Sequence, residues 1–161
     1  MTDANLIYST FGRVSQTAKF FVDNLGALLI AMNALEGEES PSSAAKDAAS
    51  YLNSLAKDAL GGRLARLKNY SGIDPALIDG LMQALSVRNA LVHDFFVKRD
   101  QNLKDPSGRS ELLLELGEMH FALVSAWGTT HAIARDLAAV LNSRSIRVQP
   151  ASVWRGTPAA G

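Results

Sequence analysis

The chain contains no cysteine among its 161 residues, which excludes a disulfide framework and any metal site built on thiolates. Histidine is scarce too, and two of the three, His120 and His131, are about three helical turns apart, too far to share one ion. Net charge is also missing, because sixteen basic residues balance sixteen acidic ones. The chain is therefore not a general binder of polyanions, and any nucleic-acid surface must be a local patch.

Long apolar runs are absent as well. The most apolar segment, residues 25–32, is far shorter than the roughly 20 residues needed to span a bilayer. Asp3 comes early and no basic stretch precedes an apolar run, which predicts that there is no signal peptide. We expect a soluble, cytoplasmic protein with no membrane partner.

The residues that are present predict an all-α fold. The composition, 47% hydrophobic and 20% charged, is typical of a globular domain, and no segment shows the two-residue alternation of a strand. Apolar positions three and four apart predict a first helix over about residues 4–35. The same spacing at 112, 116, 119, 123, 127, 130, 134, 137 and 141 predicts a long last helix, about 110–142, with a seam suited to antiparallel packing or a dimer contact.

Glycine and proline residues, which interrupt helices, divide the middle of the chain. A second helix is expected from about residue 41, weakened or bent at Gly61-Gly62 and followed by a short helix over 63–68. Asp74-Pro75 is a typical helix start, and that helix is expected to end near residues 96–98, before a polar loop over 98–110. The prediction is a single helical bundle of about four to five helices over residues 1–142, with a flexible tail over 143–161.

The helix that begins at Asp74-Pro75 carries Arg88, Asn89 and His93 within an apolar pattern. A buried charge is costly unless it is paired or used, and histidine titrates near neutral pH. On a regular α-helix Asn89 and His93 share a face, whereas Arg88 and His93 diverge by roughly 140°. A phosphate placed over Asn89 could be reached from both sides.

This set of side chains suits RNA cleavage, in which the ribose 2′-hydroxyl attacks the adjacent phosphate. We expect His93 to act as acid or base, Arg88 to stabilise charge on the phosphoryl oxygens, and Asn89 to orient them. The reaction needs no metal, and we expect no cofactor. One Arg and one His provide few catalytic groups for this reaction. The hypothesis therefore includes a two-fold homodimer, in which the active site contains two copies of each residue.

The sequence Arg88-Asn89-x-x-x-His93, in an all-helical chain of this size, resembles the R-x4–6-H signature of the HEPN superfamily (higher eukaryotes and prokaryotes nucleotide-binding). The resemblance implies a helical bundle that dimerises through the motif helix. Many members are metal-independent endoribonucleases in toxin–antitoxin, phage-defence or RNA-processing systems. In one toxin branch a partner nucleotidyltransferase modifies a Tyr two residues after the His; that position is Phe95 here, which argues against this regulation.

Other interpretations stay open. The chain could be a non-catalytic HEPN-like dimer that binds a nucleotide or a protein, or a toxin held by an antitoxin. Arg88 could simply form a packing salt bridge with Asp79 or Asp94. Phe95 and Phe96 are expected in the core rather than as a base-stacking surface. Four basic residues near the motif are candidate substrate-binding positions, with scattered solubility charges as the alternative: Arg63, Arg66, Lys98 and Arg99.

Overall fold

The computed structural model describes residues 3–36, 57–69 and 73–143, and every regular element in these ranges is helical. The elements are α1 (Ala4–Glu36), α2 (Lys57–Leu67), α3 (Pro75–Asn89), a π-helical turn (Ala90–Asp94), α4 (Phe95–Lys98), α5 (Asp100–Lys104) and α6 (Pro106–Ser143). Since α3, the π-helical turn and α4 follow one another without a break, they form one rod. The predicted all-α fold with a long C-terminal helix is confirmed.

Helices α1 and α6 form the core through the stripes that their spacing predicts. The seam of α6 is buried at seven of its nine predicted positions: Leu112, Leu116, Leu123, Trp127, Thr130, Ala134 and Leu137. Met119 packs partly buried against the core, and position 141 lies outside the side chains described. Burial of a large apolar side chain contributes about 1.5–3 kcal/mol, so this interface accounts for much of the fold's stability.

The two long helices run parallel, not antiparallel as the seam suggested. Phe20 of α1 stacks on Trp127 of α6, with ring centroids 5.3 Å apart. Thr17 Oγ1 lies 3.1 Å from His120 Nε2. Because the two contacts advance in the same direction along both helices, the chain must reverse between them, and α3 with its continuation occupies that return path.

The start of α3 is as predicted: Asp74 Oδ1 accepts a hydrogen bond from the Ala76 N–H at 2.9 Å, and Pro75 opens the first turn. The predicted polar loop over 98–110 is wrong, because it contains α5 and the first turn of α6. Asp105 Oδ2 accepts from the Gly108 N–H at 2.9 Å, and Pro106 is the first residue of α6. This is the same start signal that opens α3.

Gly108 also permits a close approach between α5 and α6. A Cβ atom at this position would lie 2.6 Å from the carbonyl oxygen of Asn102, so a side chain does not fit. Gly61-Gly62 does not interrupt α2, which is continuous from Lys57 to Leu67. The expected helix over 41–56 and the predicted tail beyond Ser143 lie outside the described residues. No helix in the ranges that the structure covers is long and apolar enough to cross a membrane.

Candidate functional site

The motif lies where the regular helix widens. Arg88 and Asn89 are the last two residues of α3, and His93 is the fourth residue of the π-helical turn. Hydrogen bonds in a π-turn span five residues rather than four, so each residue rotates less about the axis than in an α-helix. The divergence between Arg88 and His93 therefore falls from roughly 140° to about 90°. The turn brings the two side chains closer to one face than the sequence predicted.

Two buried residues fix the orientation of this turn. Leu91 and Phe95 are each 1% exposed and enter the core. Val92 and His93, between them, face outward and are exposed. Neither ring nitrogen of His93 forms a hydrogen bond to the described part of the chain. The imidazole is therefore open to a ligand.

Arg88 is half-buried, and its one side-chain hydrogen bond in the described ranges is to its neighbour: Nη1 donates to Asn89 Oδ1 at 3.0 Å. The two acids considered as salt-bridge partners from the sequence are paired with lysines. Lys68 Nζ holds Asp79 at 2.6 Å, and Lys98 Nζ holds Asp94 at 2.7 Å. Neither packing salt bridge considered from the sequence forms, and the Arg88 charge is not compensated by an acid in the described residues.

The bond from Arg88 fixes Asn89 as well. Because Asn89 Oδ1 accepts from the guanidinium, its Nδ2 is left as a donor on the same surface. Guanidinium and amide donors side by side suit an oxyanion, and the exposed imidazole of His93 can move a proton beside it. The arrangement can bind an anionic group and carry out proton transfer at its edge.

Asp94, next to His93, stays ionised. The hydrogen bond from Lys98 holds the pKa of the Asp94 carboxyl below its ordinary value. Both partners are largely exposed, and such surface pairs contribute little and exchange readily. Lys98 is therefore close to the motif and paired there with Asp94 through a weak surface contact.

Arg99 has a different environment. Its Nε donates to Glu115 Oε2 at 2.6 Å, Nη2 donates to Glu115 Oε1, and Nη1 donates to the Phe95 carbonyl at 3.3 Å. The guanidinium also lies over the Phe95 ring, 4.8 Å from its centroid. A planar bidentate pair with a cation–π contact is a structural arrangement, and it ties α4 to α6.

The four candidate substrate-binding residues do not lie together. Arg63 of α2 donates to Asn33 Oδ1 near the C-terminal end of α1, and Arg66, half-buried, lies one turn further along α2. Phe95, against which Arg99 packs, contacts Phe11 near the other end of α1. Phe11 and Asn33 are roughly 33 Å apart along the helix axis. Within one protomer, Arg63 and Arg66 lie far from the motif, whereas Lys98 and Arg99 adjoin it.

An aromatic cluster lies beside the motif and was not predicted from the sequence. Tyr8 and Phe11 of α1 face Phe96, with ring centroids 5.4 Å and 4.6 Å away. As predicted, Phe95 is a core residue, and Phe96 is half-buried against the core. Since Tyr8 and Phe96 are far apart in sequence, no local pattern connects them.

Among the residues that the structure covers, no three His, Asp or Glu side chains are grouped so that they could hold a metal ion. Comparisons of the chain with protein-family models, with curated proteins and with solved structures find no match. The function of the chain is therefore inferred from the residues of the site.

Proposed function

We propose that this chain is a metal-independent endoribonuclease of the HEPN type. In the proposal, a two-fold homodimer brings two copies of Arg88, Asn89 and His93 into one cleft. The substrate is RNA and the setting is the cytoplasm. The family resemblance alone suggests a role as a toxin or phage-defence effector, with an antitoxin or a nucleotidyltransferase as partner. A nucleotidyltransferase partner is disfavoured, because Phe95 stands in place of the Tyr that such an enzyme modifies.

The observation that supports this function best is the state of Arg88. Partial burial of a guanidinium group removes part of its hydration and is unfavourable in free energy. A salt bridge with an acid normally compensates for this loss. Here Asp79 precedes Arg88 by nine residues, about 13.5 Å along the helix, and Asp94 is paired with Lys98, so Arg88 donates to Asn89 instead. An anion that binds there offsets the cost, and a phosphate matches the planar fork of the side chain.

The proposed chemistry assigns a role to each of the three motif side chains. His93 removes the proton of the ribose 2′-hydroxyl, whose oxygen attacks the adjacent phosphorus and forms a 2′,3′-cyclic phosphate. The imidazolium of the second protomer's His93 gives a proton to the departing 5′-oxygen. Arg88 and the Asn89 amide stabilise the negative charge that develops on the phosphoryl oxygens.

RNA cleavage in EDTA tests the proposal. We expect His93→Ala and Arg88→Ala each to lower the cleavage rate at least about 100-fold, and the wild-type products to end in a cyclic phosphate. His93 is exposed, so thermal unfolding of that variant should match wild type. Arg135→Ala is the matched control, because it removes an exposed cation of α6 (76% side-chain exposure) and leaves the motif and its neighbours unchanged. Cleavage by His93→Ala at the wild-type rate would refute the assignment.

A non-catalytic dimer that binds a nucleotide or protein is the second candidate. The zero net charge of the chain favours it, because catalytic RNA binding usually draws on a basic surface. Calorimetry separates the two functions. Binding of RNA or a nucleotide that depends on Arg88, with no cleavage of that RNA, would assign this role.

A further inference from the structure

An exposed aromatic ring lies beside the motif. Tyr8 of α1 is 54% exposed, and its ring packs on Phe96 with centroids 5.4 Å apart and planes tilted by 40°. Phe96 in turn packs on Phe11, and Phe11 on the buried Phe95. Tyr8 is thus the outermost ring of an aromatic stack that begins in the core, and its contact with Phe96 holds the Tyr8 ring in position.

The stack places Tyr8 close to His93. Phe96 follows His93 by three residues, and side chains at this spacing lie about 5–6 Å apart at Cβ. Adding the 5.4 Å between the Phe96 and Tyr8 rings gives a path of about 11 Å from His93 to the tyrosine ring. Arg88 and Asn89 supply phosphate donors one turn before His93. A ring, a proton-transfer group and phosphate donors therefore occupy one end of the molecule.

We propose that Tyr8 is a stacking platform for a nucleobase of single-stranded RNA, and that it holds the nucleotide whose phosphate reaches Arg88. This inference rests on the proposed ribonuclease function and names its substrate class. A base is free to stack on a protein ring only when it is unpaired, as in single strands and loops. Stacking is tolerant of sequence because every base has a π-face, so the platform selects unpaired RNA with weak base preference.

The test separates binding from cleavage by using a 2′-O-methyl oligonucleotide, which cannot be cut. Fluorescence anisotropy with a labelled single strand gives the affinity of wild type, Tyr8→Ala and Tyr8→Phe. We expect Tyr8→Ala to weaken binding by about tenfold, since one stacked base contributes about 1–3 kcal/mol. Tyr8→Phe keeps the ring and should bind like wild type. The same sequence as a duplex should bind at least about tenfold more weakly.

Phe121→Ala is the matched control, because Phe121 is an exposed aromatic residue (76%) on α6 and, within the described residues, its ring does not contact Tyr8, Phe11, Phe95 or Phe96. Its loss should leave affinity unchanged. Wild-type affinity in Tyr8→Ala, with RNA cleavage intact, overturns the platform and leaves the ribonuclease proposal standing. Absence of both RNA binding and cleavage in wild type overturns both. If Tyr8→Ala converts a dimer to a monomer in sedimentation, the ring belongs to a contact between copies, and the platform is wrong.

Discussion

At the scale of single residues, two buried asparagines of α1 differ in how their amides are satisfied. Asn24 is 1% exposed and Asn33 is 3% exposed. Asn33 Oδ1 accepts a hydrogen bond from Arg63, whereas neither Oδ1 nor Nδ2 of Asn24 has a partner in the structure described. A buried polar group without a partner costs about 1–3 kcal/mol, so the two residues act on stability with opposite sign.

Other buried polar atoms without a hydrogen-bond partner among the described residues lie across the helix interface from Asn24. Asn24 follows the stacked Phe20 by one turn, and His131 follows Trp127 by one turn. Trp127 Nε1 and His131 Nδ1 are also buried and unpartnered within the described ranges. Because α1 and α6 run parallel, these polar atoms lie at neighbouring levels of one interface. The least satisfied part of the core is thus distant from the motif.

We predict that Asn24→Leu raises the free energy of unfolding by about 1–3 kcal/mol, because an apolar side chain of similar size removes two unsatisfied polar atoms. Asn33→Leu, the matched control on the same helix, should lower the free energy of unfolding by a comparable amount, since it breaks the part-buried hydrogen bond from Arg63. Urea denaturation monitored by circular dichroism measures both. A loss of stability in both variants contradicts the prediction.

At the scale of elements, the π-helical turn is the feature that distinguishes the motif helix from a regular one. Such a turn acts as an α-helix with one inserted residue and often marks a functional site. The insertion interrupts regular backbone bonding, yet it keeps Leu91 and Phe95 in the core while it turns His93 outward. The loss of regular backbone hydrogen bonding in the turn is thus linked to the outward position of His93, the proposed catalytic residue.

Deleting Val92, an exposed residue of the turn (49%), should convert the turn to a regular α-helix. We expect the variant to fold with a melting temperature equal to or above that of wild type, because the inserted residue is removed and the register on either side is kept. RNA cleavage should fall, since His93 changes its direction relative to Arg88.

The control is deletion of Glu118, an exposed residue of the regular helix α6. It rotates the following seam by about 100°, which moves Leu123 and Trp127 out of the core. Differential scanning calorimetry compares the two deletions. If the Val92 deletion unfolds the protein as the Glu118 deletion does, the turn is required for packing and is not a removable insertion.

How far the sequence predicts these elements depends on how local their causes are. The stripes of α1 and α6 follow from helical periodicity, and Asp74-Pro75 from cap chemistry. Asp105-Pro106 carries the same signal, which could have identified the start of α6. The π-helical turn leaves no such mark, because the apolar spacing around residues 84–95 fits a regular helix equally well. The contacts of Arg99 with Glu115 and of Tyr8 with Phe96 depend on tertiary packing, which no local pattern contains.

At the scale of the whole molecule, the balance of charge limits how the chain can hold RNA. The formal net charge is zero, and the basic residues near the motif include Arg99, which Glu115 neutralises, and Lys98, which Asp94 holds. Arg63 and Arg66 lie toward the other end of α1. One protomer therefore offers Arg88 as its main phosphate contact, and a two-fold dimer offers two.

Salt dependence counts these contacts. For single-stranded nucleic acid the slope of log affinity against log salt is about −0.7 per neutralised phosphate, so two Arg88 side chains predict a slope of about −1.4. Arg88→Ala should flatten the slope toward zero. Arg135→Ala, which removes an exposed cation (76% side-chain exposure) on α6, should leave it unchanged. A slope of about −4 or steeper in wild type would mean that a wider basic surface holds the RNA, and that Lys98, Arg63 and Arg66 contact phosphates in the dimer although they are apart in one protomer.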